Sequence, residues 1–80
     1  MSKKLILFSA PWCTSCNQLK NKLNENNNFN LDLEIVDITK DIDMSIKYKI
    51  MSVPTIIKLE DGLETNRLVG NVSIKSLNNL

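Results

Sequence analysis

Leu5-Ile6-Leu7-Phe8-Ser9-Ala10-Pro11-Trp12-Cys13-Thr14-Ser15-Cys16 is the stretch whose reading decides the fold of this chain. Leu5 to Phe8 form a short continuous apolar run, the pattern of a strand buried on both faces, and Gln18, Leu19, Lys20, Lys22 and Leu23 downstream read as a helix. Cys13 and Cys16 therefore fall at a strand-to-helix junction, three positions apart, a spacing that allows them to join and part as a disulfide. At such a junction the unpaired N–H groups of the first helical turn and the positive end of the helix dipole favour a thiolate on the first cysteine, below the free value of about 8.5. A C-x-x-C beside a βαβ pattern points to redox chemistry.

Composition weighs the other uses of two cysteines. A structural zinc takes four ligands, and the chain has two Cys and no His, so zinc or an iron–sulfur cluster would need a second chain or carboxylates. A purely structural disulfide closing so short a loop restrains little unfolded-chain entropy. Redox-active thiols are the favoured reading, with metal held across a dimer as the competitor from another class.

The chain of 80 residues makes one small domain over 1–80. A domain of that size buries roughly 60% of the surface its unfolded chain exposes. Ten Lys and Arg against nine Asp and Glu give a net charge of +1, without the basic stripe that nucleic acid requires. Met1-Ser2-Lys3-Lys4 and the apolar run after it begin like a signal peptide, but Pro11-Trp12 interrupts them well short of a hydrophobic region. The expectation is a cytoplasmic monomer with no membrane span, in a compartment where cysteine pairs are more often catalytic than structural.

Beyond the first helix, Asn24 to Asn28 reads as a solvated turn, with Phe29 pinning the loop to the core. Leu31, Leu33 and Ile35 alternate with Asp32 and Glu34 into a second strand, parallel to the first because a helix connects them. Thr39 or Asp41 can cap a short helix carrying Ile42, Ile46 and Ile50 on one face. Ile56 to Leu59 and Leu63 to Val69 flank Asp61-Gly62, the signature of a hairpin, and Ser73 can cap a last helix with Ile74, Leu77 and Leu80 inward. The order is βαβαββα: an α/β fold with a four-stranded mixed sheet and helices on both faces.

Trp12-Cys13-Thr14-Ser15-Cys16, followed by Tyr48-Lys49-Ile50-Met51-Ser52-Val53-Pro54-Thr55, then Asp61-Gly62 and Val69-Gly70, resembles the thioredoxin family over nearly the whole chain. The resemblance implies a thiol–disulfide oxidoreductase that reduces protein disulfides, with Cys13, exposed, as the attacking thiolate and Cys16 as the resolving thiol. It implies no cofactor, disulfide-containing protein substrates, and a recycling reductase or thiol pool. Trp12, Thr14, Ser15, Val53, Pro54 and Gly70 are expected to contact substrate. The Val53–Pro54 bond is expected to be cis, and the Val53 backbone to pair with an extended substrate segment. Read without the family, Pro54 could simply begin an edge strand, and Trp12 could be a core aromatic.

The size is that of glutaredoxins and small archaeal or viral thioredoxins, so a glutaredoxin-like donor dedicated to one enzyme, such as a ribonucleotide reductase, is the alternative. The glutaredoxin glutathione pattern is absent, with Gly70-Asn71-Val72-Ser73 in its place. Thr14-Ser15 replaces the usual Gly-Pro between the cysteines. Leu7 stands where thioredoxins keep a buried aspartate, and Ile35 where its partner lysine is found, so the expected interior is apolar beneath the disulfide.

Overall fold

The computed structural model describes residues 3–25 and 32–70, and within them the order is β1 (Lys3–Ser9), α1 (Thr14–Glu25), β2 (Asp32–Asp37), α2 (Ile42–Lys47), β3 (Thr55–Glu60) and β4 (Leu63–Val69). The Asn-rich turn expected from Asn24 needs correction at its start, since α1 continues through Asn24 and Glu25. Its remaining residues Asn26 to Asn28, together with Phe29, Leu31 and the helix expected at Ser73 to Leu80, lie outside the described residues.

The strands form one sheet in the order β2-β1-β3-β4. β1 runs parallel to β2, with Leu7 beside Ile35, and antiparallel to β3, with Leu7 beside Ile56. β3 and β4 make the expected hairpin. Its turn residues Asp61 and Gly62 both have positive φ, at 54° and 85°. That combination is what a type I′ turn requires, and Asp-Gly supplies it at low cost.

β1 is buried on both faces, as its unbroken apolar run predicts. Its odd-numbered side chains, Leu5 and Leu7, pack with Leu19 and Leu23 of α1 and with Ile56; its even-numbered ones, Ile6 and Phe8, pack with Val36, Ile57 and Leu59. Met44, Tyr48 and Ile50 close over the second cluster, and the Tyr48 ring lies 5.9 Å from that of Phe8. The sheet thus carries a helix on each face, one apolar layer serving each.

Of the two caps considered for α2, Asp41 is the one used, its carboxylate accepting the Met44 N–H at 3.2 Å. An Asp oxygen bonded to the N–H three residues on is the usual N-cap arrangement. Thr39 instead donates its N–H and hydroxyl to the Asp37 carboxylate, which lowers that group's pKa below the ordinary value. The expected apolar face of α2 needs correction. Ile42 and Ile46 do share a face, but it is the outer one, where they are 58% and 68% exposed. Six residues give barely more than one turn and a half, so the phase set by the Asp41 cap, and by the chain's reversal after Tyr48, decides what faces the sheet. That phase turns Met44 and Tyr48 inward.

Candidate active site

Pro11 and Trp12 turn the chain out of β1, and the Cys13 N–H donates to the Ala10 carbonyl at 3.1 Å. Cys13 immediately precedes α1, and its carbonyl accepts the Asn17 N–H at 3.2 Å, the first bond of the helical ladder. Cys13 is therefore the N-cap. Its side chain does what a capping Ser or Asp oxygen does elsewhere, with Sγ accepting the Cys16 N–H at 3.1 Å. A sulfur in that position gains most when it is negative, since it then faces a backbone donor and the positive end of the helix dipole. No acidic residue occupies the first turn of α1 to compete with it.

Cys13 and Cys16 are joined in a disulfide, their Cα atoms 5.2 Å apart. Cys16 is fully buried and Cys13 keeps 7% of its surface. The asymmetry has the expected sense, but Cys13 is more covered than the expected exposed sulfur: Ala10, Ile38 and Val53 pack around the pair. Thr14 is exposed and Ser15 half-buried on the first turn beside it. Trp12 is 71% exposed, which excludes the core-aromatic reading and leaves its ring on the rim next to Cys13.

The second wall comes from the segment between α2 and β3. The Val53–Pro54 peptide bond is cis, not the plain start of an edge strand. Pro54 is buried, so its ring shapes the wall from behind and offers little surface of its own. Two hydrogen bonds fasten the segment: Thr55 Oγ1 donates to the Ser52 carbonyl at 2.7 Å, and the Gly70 N–H donates to the Pro54 carbonyl at 2.9 Å. Gly70 has φ of +97°. Side chains rarely adopt that conformation, which explains glycine at the end of β4. Val53 is half-buried, packs toward the cysteine pair, and among the described residues neither its N–H nor its C=O enters a backbone hydrogen bond. Packing joins Val53 to Cys13 and a hydrogen bond joins Pro54 to Gly70, with Trp12 and Thr14 flanking Cys13 in sequence.

Leu7 is completely buried among Leu5, Leu19, Leu23 and Ile56, and Ile35, its register partner on β2, is half exposed. The buried polar or charged side chains among the described residues are Ser9, Thr55 and Lys58, with no carboxylate among them. Sequence reasoning missed Arg67, whose guanidinium Nη2 reaches the Tyr48 carbonyl at 2.9 Å. Nothing in its strand pattern announces that contact.

The thioredoxin family profile matches residues 1–80. A prophage-derived thioredoxin-like protein of Bacillus subtilis is 35% identical over 68 residues, covering 84% of this chain and 81% of its own length. A thioredoxin of Staphylococcus epidermidis is 31% identical over 70 residues, covering 84% of this chain and 67% of its own. Among solved structures, a thioredoxin of Halobacterium salinarum superposes with a TM-score of 0.90 at 22% identity, over 98% of this chain and 70% of that one. Thioredoxin 1 of Thermosipho africanus gives a TM-score of 0.82 at 27% identity, over 95% of this chain and 86% of that one. With a C-x-x-C disulfide capping a helix beside a cis-proline wall, and a family match along its length, the chain belongs to the thioredoxin family and is a thiol–disulfide oxidoreductase.

Proposed function

We propose that the protein reduces disulfides of other proteins, with Cys13 as the nucleophile and Cys16 as the resolving thiol. The observation that carries the assignment is the Cys16 N–H directed at Cys13 Sγ, while Cys16 itself is sealed from solvent. The donor stabilises the thiolate of Cys13 and serves no such purpose for Cys16. In the reduced protein the Cys13 thiolate attacks one sulfur of a substrate disulfide, forming a mixed disulfide and expelling the other sulfur as a thiolate. Cys16 then loses its proton and attacks Cys13 Sγ, which restores the Cys13–Cys16 disulfide and releases the second substrate thiol. Two electrons pass to the substrate. A reductase or a thiol pool returns them together with two protons.

The Val53 backbone, without a partner among the described residues, supports substrate binding as an added strand. We assign the exposed Trp12 ring as an apolar rim beside Cys13, and assign Thr14, Ser15, Pro54 and Gly70 to the same substrate groove. No described helix is long and apolar enough to cross a membrane, and we place the activity in the cytoplasm, where reduced thiols are maintained. A Cys16→Ser variant tests the roles: it is expected to accumulate a mixed disulfide with a protein substrate, and Cys13→Ser to accumulate none. The reverse pattern overturns the assignment.

A further inference from the structure

In a regular strand, residues three apart point to opposite faces. Glu64 and Arg67 of β4 break that rule. Lys58 pairs with Asn66 and the next residue, Leu59, pairs with Glu64, so Thr65 is the extra residue of a β-bulge. The bulge shifts the phase of β4. Glu64 lies opposite Leu59 and Arg67 opposite Ile57, both members of the cluster under α2, which puts the two charged residues on the same face as that helix.

There they form a fork. Arg67 Nε donates to Glu64 Oε2 at 2.6 Å and Nη2 to Oε1 at 2.8 Å, while Nη2 also donates to the Tyr48 carbonyl at 2.9 Å. Tyr48 is the C-cap of α2. Its carbonyl is among those a helix end leaves without an internal partner. The next residue, Lys49, has φ of +53°. The Lys49 and Ile50 N–H groups fold back onto the Ile46 and Ser45 carbonyls in a Schellman turn. Lysine is costly in that conformation, which persists when surrounding contacts hold it. Four residues after Lys49 comes Val53.

We propose that Glu64 and Arg67 are positioning residues for the substrate groove: the bulge aims Arg67, Glu64 orients its guanidinium, and the bond to Tyr48 fixes where the Lys49–Pro54 segment starts. The far end of that segment is already fastened, by Thr55 to Ser52 and by Gly70 to Pro54. The fork fastens the near end, so the Val53 backbone is presented in one place. This rests on the proposed pairing of Val53 with an extended protein substrate. A small disulfide that reaches Cys13 without lying along Val53 needs no such alignment.

Arg67→Met removes the fork and keeps the apolar stem. At a temperature where the variant is fully folded by circular dichroism, its kcat/KM for a protein disulfide is expected to fall about tenfold, because loss of alignment is felt at the reacting atoms. Its rate with a small linear disulfide and the thiolate titration of Cys13 should stay within about twofold of the parent, since neither uses the groove. Arg67→Lys, with one donor group able to reach Tyr48, should recover part of the loss, and Glu64→Gln, which leaves one amide oxygen to orient the guanidinium, should show a smaller loss confined to the protein substrate. Equal kcat/KM with the protein disulfide in parent and Arg67→Met, or an equal fall with both substrates, overturns the proposal. A parent protein that fails to reduce protein disulfides at all refutes the functional reading instead, which keeps the two failures apart.

Discussion

Leu7→Asp restores the acid that thioredoxins usually keep beneath the disulfide, in an interior built without its partner. Leu7 is fully buried, flanked in the sheet by Ile35 and Ile56 and covered by Leu19 and Leu23. Truncating a core leucine costs about 2–5 kcal/mol, and a buried polar group without a partner adds about 1–3 kcal/mol. The sum, about 3–8 kcal/mol, compares with a whole stability of about 4–12 kcal/mol for a domain of this length. The variant should be marginal at best. Desolvation also raises the introduced carboxyl's pKa in the folded state above its unfolded value of about 3.9. A group raised on folding favours the folded state below its unfolded pKa and loses that contribution as pH climbs through the folded pKa. A rise of about three units would therefore remove about 2–3 kcal/mol between about pH 5 and pH 8. Urea unfolding at both pH values reads this directly. Adding Ile35→Lys should return part of the stability at the higher pH, because residues 7 and 35 are register partners on one face and a lysine at half-exposed 35 can meet the carboxylate. A variant within about 1 kcal/mol of the parent at both pH values, or one that is more stable at the higher pH, would refute this account of the interior.

The same geometry sets three further outcomes. With no carboxylate among the described buried residues, Cys16 has to pass its proton to Cys13, solvent or substrate, so the pH profile of disulfide reduction should fit the two cysteine ionisations alone; a third between about pH 7 and 9 would mean that another acid serves. Lys49 holds a positive φ. Glycine accepts that conformation where lysine resists it, so Lys49→Gly should raise stability by about 0.5–1 kcal/mol in chemical denaturation, and a loss of stability would contradict the strain assigned to that turn. Glu64 is held below the usual carboxylate range by its hydrogen bonds from Arg67, and Asp37 by those from Thr39. Carboxylates lowered on folding stabilise above their unfolded pKa and cease to as pH falls through the folded one, so melting temperature should decline below about pH 4, less steeply in Glu64→Gln.

The parts of this fold legible in the sequence are those encoded locally. Asp61-Gly62 names its own turn, the apolar run Leu5 to Phe8 reads as a strand buried on both sides, and the cysteine spacing places both sulfurs at the start of a helix. The family motif singled out Val53-Pro54 and Gly70, and the structure packs Val53 against the cysteine pair and bonds the Gly70 N–H to the Pro54 carbonyl. What escaped depended on tertiary phase. Two isoleucines four apart mark a helix face but not which way it points, and in α2 the cap and the following turn aimed Ile42 and Ile46 outward. Trp12 suits a rim as well as an interior, and packing alone decided. A period-two pattern sets residues three apart, such as Glu64 and Arg67, on opposite sides of a strand, and the bulge at Thr65 that brings these two onto one face leaves no trace in it.

Differential alkylation of the reduced protein across pH tests the assignment of the two cysteines most directly. Cys13 is expected to react first and to titrate below the free-thiol value of about 8.5, with Cys16 protected until the chain unfolds, because Sγ of Cys13 receives the backbone donor and Cys16 is the fully buried partner. Faster labelling of Cys16, or two cysteines that titrate alike near the free value, would contradict it.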